Sequence, residues 1–135
     1  MDRTQTAKEL FAKGYNCSQS VACAYADICG VSEETMFRIS EAFGGGMGGL
    51  QQTCGAVTGA YMVISMLHSG GDTSAPRATK ADTYAAIRSF TEAFEQKNST
   101  TLCSELRGTP ETPKRRSCIG CVEDAVALLE EMVNA

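Results

Sequence analysis

Cys54-Gly-Ala-Val-Thr-Gly-Ala-Tyr-Met-Val-Ile-Ser-Met-Leu67 is an apolar stretch that stops just before Gly70–Gly71. It shows no strand-like alternation, and a glycine pair is a normal helix stop, so it reads as a helix. Its beginning is slim: Gly55, Ala56, Gly59 and Ala60 leave room where a neighbouring helix or a cofactor must approach. Upstream, the run Gly44-Gly-Gly-Met-Gly-Gly49 must interrupt any helix, because glycine is conformationally permissive and costs helix stability. Before that run, Ser32 with Glu33 and Glu34 reads as a capped start for a helix ending near Phe43. Earlier still, Val21, Ala24 and Ile28 recur at steps of three and four within a helix from Cys17 to Ile28.

Downstream the pattern stays helical. Pro76 suits a first-turn position, and Thr79 with Asp82 resembles a capping box. Tyr84, Ile87, Thr91 and Phe94 then share a face, with Arg88, Glu92 and Lys97 on the exposed side. A short helix covers Cys103 to Leu106, and Gly108 to Arg116, with Pro110 and Pro113, reads as a loop. The last helix runs from about Ser117 to Met132, its apolar stripe made by Val122, Ala125, Leu129 and Val133. No segment alternates convincingly as a strand, and no internal repeat is visible. The expectation is an all-α bundle of five or six helices with a glycine-rich interhelical loop, forming a single domain over residues 1–135.

Composition narrows the function. The 135 residues carry a formal charge of −4, from 12 Lys+Arg against 16 Asp+Glu, which disfavours a nucleic-acid partner. No apolar run approaches the ~18 residues needed to span a bilayer, so direct membrane insertion is not expected. The N-terminal Met1–Gly14 stretch is polar without the apolar region of a secretory signal, which points to a cytoplasmic location. Seven cysteines are the abnormal number. In a reducing compartment cysteines more often serve metal or redox chemistry than structural bridges, and an odd count cannot pair completely.

Placing the cysteines on the helices sorts them. Cys17 follows Asn16, Cys54 follows Thr53, Cys103 follows Thr101 and Leu102, and Cys118 follows Ser117. Asn, Thr and Ser are N-cap types, so these cysteines are expected in first turns, where free N–H groups and the helix dipole stabilise a thiolate. Cys23 and Cys29 lie about 240° and 120° round from Cys17, off the apolar stripe, and read as small apolar or surface residues. Cys121 closes a Cys118-Ile-Gly-Cys121 motif after Lys114, Arg115 and Arg116. It reads either as half of a dithiol pair or, about 300° round from Cys118, as a residue flanking the core face. His68, the single histidine, lies about 21 Å of helix from Cys54, too far to share one metal ion with it. Glycines 44–49 lack a phosphate-binding signature, but Gly45 and Gly46, with Gly55 and Gly59, would let backbone approach an anionic sulfur centre.

The elements Gly14-Tyr-Asn-Cys17, Phe43-Gly-Gly-Gly-Met-Gly48, Cys54-Gly-Ala-Val-Thr-Gly59, Cys103-Ser-Glu-Leu-Arg-Gly108 and the closing Cys118 occur in that order over nearly the whole chain. In this the sequence resembles the redox-active C-GCAxxG-C-C proteins. The resemblance implies that Cys17, Cys54, Cys103 and Cys118 are the four signature cysteines, and leaves Cys23, Cys29 and Cys121 outside the pattern. It also implies a redox partner or a membrane transport system nearby. Association into a homo-oligomer is left open.

Two chemistries suit an electron-transferring oxidoreductase built on this set. One is a metal centre held by Cys17, Cys54, Cys103 and Cys118, foremost a [2Fe–2S] cluster, with zinc as another occupant. The other is thiol–disulfide exchange among the same four, with no cofactor. The competing class is a non-catalytic carrier that binds a metal or metalloid without turnover.

Overall fold

The computed structural model describes residues 2–134. Among them the architecture is all-α, and the β-like pairing is an isolated antiparallel bridge between Thr53 and Leu102. The helices are α1 (Arg3–Ala12), α2 (Cys17–Cys23), α3 (Ala26–Cys29), α4 (Glu33–Ser40), α5 (Gly55–His68), α6 (Lys80–Asn98), α7 (Cys103–Arg107) and α8 (Cys118–Val133). That is more than five or six, for identifiable reasons. No helix among the described residues is long and apolar enough to cross a membrane.

The first unforeseen element is α1. Asp2 caps it by accepting from the Gln5 N–H at 3.1 Å, and it buries Ala7 and Leu10. Arg3 fastens it, pairing with Asp27 at 2.8 Å and lying 4.8 Å from the centre of the Tyr25 ring. The second difference is a break in the helix expected from Cys17 to Ile28. Tyr25 leaves helical geometry (φ −117°, ψ 7°), its ring wholly buried and its hydroxyl donating to the Glu130 carboxylate at 2.6 Å. Rotated by that break, Ile28 is exposed rather than on the apolar stripe, whereas Val21 and Ala24 are buried. Cys23 and Cys29 are both buried in the core.

α2 is the central element, buried at every position from Ser18 to Cys23. Its start is a full capping box: the Gln19 N–H donates to the Asn16 side chain at 2.8 Å, and the Asn16 N–H donates to the Gln19 side chain at 3.0 Å. It packs against α5 through Gly59, where an added Cβ would stand 2.6 Å from the Ser18 carbonyl oxygen. The slim face of α5 therefore serves close helix packing at this position. α8 and α1 complete the core, with Val57, Val122, Val126 and Leu129 fully buried between them.

α4 begins as expected, Ser32 accepting from the Thr35 N–H at 3.0 Å. After a 3₁₀ turn over Glu41–Phe43, the chain reverses through left-handed residues, Gly45 (φ 64°) and Gly46 (φ 75°) among them. These angles are accessible to glycine at little steric cost. α6 departs from expectation at its start. Pro76 lies in the loop before it, and the Thr79 side chain accepts from the Gly70 N–H instead of capping. Its buried face is Phe90, Phe94 and Asn98, with the two rings stacked 6.3 Å apart, while Tyr84 is exposed. Val133, at the end of α8, is also exposed.

Candidate functional site

Four segments meet at one end of the bundle. The glycine turn, which continues left-handed through Gln51 (φ 58°), leads into residues 52–54, and residues 51–54 pair with residues 101–104. The Cys54 N–H donates to the Thr101 carbonyl at 2.7 Å, and the Cys103 N–H donates to the Gln52 carbonyl at 2.6 Å. Cys54 and Cys103 are thereby placed side by side by backbone. Gly46 permits this: a Cβ there would lie 2.7 Å from both the Cys103 Cβ and the Gln52 nitrogen. Cys17 arrives at the first turn of α2, close enough to α5 that a Cβ on Gly55 would stand 2.5 Å from its sulfur. Cys118 opens α8, with Ser117 capping that helix by accepting from the Gly120 N–H at 3.0 Å.

These residues line a half-enclosed cavity of about 270 Å³. Cys17, Cys54, Cys103 and Cys118 all face it, as do Gly45 and Gly55. Gly46 and Gly59 do not line it; Gly46 lies against Gln51, Gln52 and Cys103, and Gly59 against Ser18. His68 is exposed at the far end of α5 and is not part of it. The cavity also contains Cys121, which is 2% exposed, so five thiols share it. Cys121 lies outside the four-cysteine pattern, although its spacing from Cys118 offered it as half of a dithiol pair. The available signal was its step of three from Cys118, which keeps both on neighbouring faces of one helix start. Arg107 and Arg116 complete the wall. A larger apolar groove of about 520 Å³, lined by Met36, Met47, Met62 and Met66 among others, contains no cysteine.

The thiols are free and electrostatically unequal. Cys54 is itself the N-cap of the 14-residue α5, which starts one position later than Thr53 as a cap would place it. No hydrogen bond of capping length reaches its sulfur, but the N–H groups of Ala56 and Val57 favour its thiolate. The strongest influence is the Cys121 thiol, which donates toward it, and together these outweigh burial and hold Cys54 down at about 7. Cys121 moves the opposite way: keeping its proton for Cys54, and buried, it is pushed well above an ordinary thiol.

The expectation that helix starts stabilise a thiolate at each of Cys17, Cys54, Cys103 and Cys118 needs correction at Cys17 and Cys103. Burial pushes Cys17 up, despite opposing N–H groups of Gly45 and Ser18. Burial likewise raises Cys103, with the Arg107 side chain opposing. Desolvation disfavours the charged form, and a first thiolate repels a second. Arg116 contributes less positive charge than its sequence neighbourhood suggested, because it is paired with Asp124 at 3.0 Å.

A metal ion or cluster requires several of these thiols at once. The donor chemistry suits zinc or iron–sulfur binding. The spacing does not, as the side chains stand: among the described residues no three Cys, His, Asp or Glu side chains group closely enough to hold an ion.

Comparison with known proteins adds the family. Residues 15–132 match the family described as putative redox-active protein (C_GCAxxG_C_C). The chain belongs to this family. No curated protein and no solved structure matches it. The match covers the glycine turn and every cysteine of the cavity, while α1 lies wholly outside it.

Proposed function

We propose that this family member is a small thiol redox protein in which Cys54 is the reactive sulfur, exchanging electrons with disulfide-bearing partners through the five-thiol cavity. The observation that carries this reading is the placement of Cys54. It caps a long helix, faces a half-enclosed cavity and stands among four other thiols that can resolve a bond formed on it. Low pKa at a helix start is the usual route to a nucleophilic cysteine.

The chemistry balances with no further reactant than the partner's disulfide. The Cys54 thiolate attacks one sulfur of that disulfide, breaking its S–S bond and releasing the other sulfur as a thiolate. A second cavity thiol then attacks the Cys54 sulfur, displacing the remaining half. Two protein thiols are oxidised to one disulfide as the partner is reduced to two thiols.

The test is to mix the reduced protein with a small aromatic disulfide and measure thiolate release alongside intact mass. The expected result is rapid release that is lost in Cys54→Ser and retained in Cys29→Ser. Equal rates in the wild type and Cys54→Ser would overturn the assignment.

A second reading keeps the same residues. Cys17, Cys54, Cys103 and Cys118 all reach one cavity, which favours a metal, metalloid or [2Fe–2S] centre formed by drawing them inward. Anaerobic purification with iron, sulfide and zinc assays separates the two readings. Stoichiometric metal lost on substituting any of the four would favour this one.

A further inference from the structure

We infer that the thiol cavity takes small disulfides that carry carboxylates, and that the Arg107 guanidinium is the group that receives the carboxylate. This inference rests on the thiol reading above and names the substrate class of that site.

The charges around the cavity are one-sided. Its wall holds Arg107 and Arg116 and no Asp or Glu. The two arginines differ in what they have left to offer. Arg116 is engaged by Asp124, its Nε and Nη2 donating to the two carboxylate oxygens at 3.0 and 3.2 Å. Arg107 has no such partner: among the described residues the ion pairs are Arg3–Asp27, Arg3–Glu130 and Arg116–Asp124. The one acid of α7, Glu105, accepts from the Thr100 hydroxyl instead. Arg107 stands four residues after Cys103 on that helix, so both lie on one face. A guanidinium without a carboxylate presents a planar fork of N–H donors, which matches the two oxygens of an incoming one.

The loop after α7 strengthens this field. Gly108 (φ 75°) turns the chain back so tightly that an added Cβ would stand 2.7 Å from the Lys114 nitrogen. The Leu106 carbonyl then accepts from the N–H groups of Arg115 and Arg116, at 2.9 and 3.2 Å. Backbone bonding thereby returns Lys114 and Arg115 to the end of α7, beside Arg107. Residues 107–116 hold four basic residues and one acid, Glu111, in a chain whose formal charge is −4. A positive opening on a negative molecule draws anions to this place and repels them elsewhere.

Size sets the rest of the class. The cavity, about 270 Å³, is near the lower end of small-molecule sites, which run from about 300 Å³ upward. Cys54 and Cys103 are each only 6% exposed, too deep for a disulfide on a folded protein surface to meet. A small molecule can enter. A cavity thiolate attacks one of its sulfurs, the S–S bond breaks, and one half leaves as a thiolate that still carries its carboxylate. A second cavity thiol gives its proton to that thiolate and displaces the bound half. Two protein thiols become one disulfide as the substrate is reduced to two thiols.

The experiment mixes the reduced full chain at low salt with three disulfides of similar size: dithiodipropionate (anionic), hydroxyethyl disulfide (uncharged) and cystamine (cationic). Adduct formation is timed by intact mass, and each rate is divided by that of mercaptoethanol with the same reagent. The expected order is anionic, uncharged, cationic, spanning about tenfold and narrowing as salt is raised. Arg107→Gln is expected to lower the anionic-to-uncharged ratio about three- to fivefold, the scale of one exposed ion pair. Arg107→Lys, which keeps the charge without the fork, should fall between the two. A ratio equal in the wild type and Arg107→Gln, or a wild type that prefers cystamine, overturns the inference and leaves the thiol reading standing. No adduct with any of the three overturns the thiol reading and the inference with it.

Discussion

The acidity of Cys54 makes the sharpest quantitative prediction, with pH as the perturbation. With a pKa of about 7, roughly half of Cys54 is thiolate at neutral pH, against about 1% for a thiol titrating near 9. That is about a 50-fold gain in reactive form. Lower basicity weakens nucleophilicity, which over two pH units removes about 6- to 10-fold, so the net advantage is about 5- to 8-fold. Burial slows reagent access by a constant factor, so the shape of the profile is more telling than the absolute rate. Between pH 6 and 8 the alkylation rate at Cys54 should rise about tenfold and then level off, where an ordinary thiol would rise about 90-fold and keep climbing. Cys17 and Cys103, raised by burial, should still be accelerating at pH 9. The assay is timed iodoacetamide labelling, quenched and mapped peptide by peptide, from pH 5.5 to 10. A Cys54 midpoint at or above 9 would refute the account of its surroundings, whichever thiol proved fastest.

Three further outcomes are expected. Gly59→Ala places a Cβ 2.6 Å from the Ser18 carbonyl oxygen, forcing α2 and α5 apart, and should cost about 1–3 kcal/mol in urea unfolding; an unchanged midpoint would show that the contact yields freely. Arg107→Gln removes the side chain that favours the Cys103 thiolate, so Cys103 labelling at pH 8 should slow while Cys54 labelling holds; equal slowing of both would point to a general loosening instead. Cys23, buried beside the Glu33 carbonyl at 3.8 Å, is pushed up to about 11. The folded state therefore holds this proton longer than the unfolded chain does. Its contribution is intact below about pH 9 and lost as pH rises toward 11, so Cys23→Ala should flatten that part of the stability curve.

The helical class was legible because α5 and α8 carry long apolar stripes, and the Ser32, Asn16 and Ser117 caps lie where their residue types suggested. What escaped was set by distant partners. Nothing local ends a helix at Tyr25; its hydroxyl reaches Glu130, 105 positions away, and the break follows from burying that ring. α1 buries only Ala7 and Leu10, too little periodicity to stand out, and depends on Arg3 reaching Asp27. On α6 the face was assigned through Tyr84, but packing against Tyr61 selects Phe90, whose ring lies 6.1 Å away.

The site divides in the same manner. Cap residues suggested helix starts for Cys17, Cys54, Cys103 and Cys118, of which the Asn16 and Ser117 caps form and those of Cys54 and Cys103 do not, and it was the family resemblance that implied the four as a set. That Cys54 is favoured as an anion while Cys17, Cys103 and Cys121 are disfavoured could not be read from the sequence, since it depends on how close they stand. Cys54 acquires the helix N–H groups of α5 and the Cys121 proton. Its negative charge then raises Cys17, Cys103 and Cys121 in turn. Each thiolate added to so small a space makes the next harder to form. Burial and mutual repulsion therefore disfavour a second thiolate beside Cys54. A second or third thiolate needs a cation brought in from outside, so metal binding here should release protons in step with each sulfur engaged, whereas exchange with a disulfide should proceed from the singly charged state.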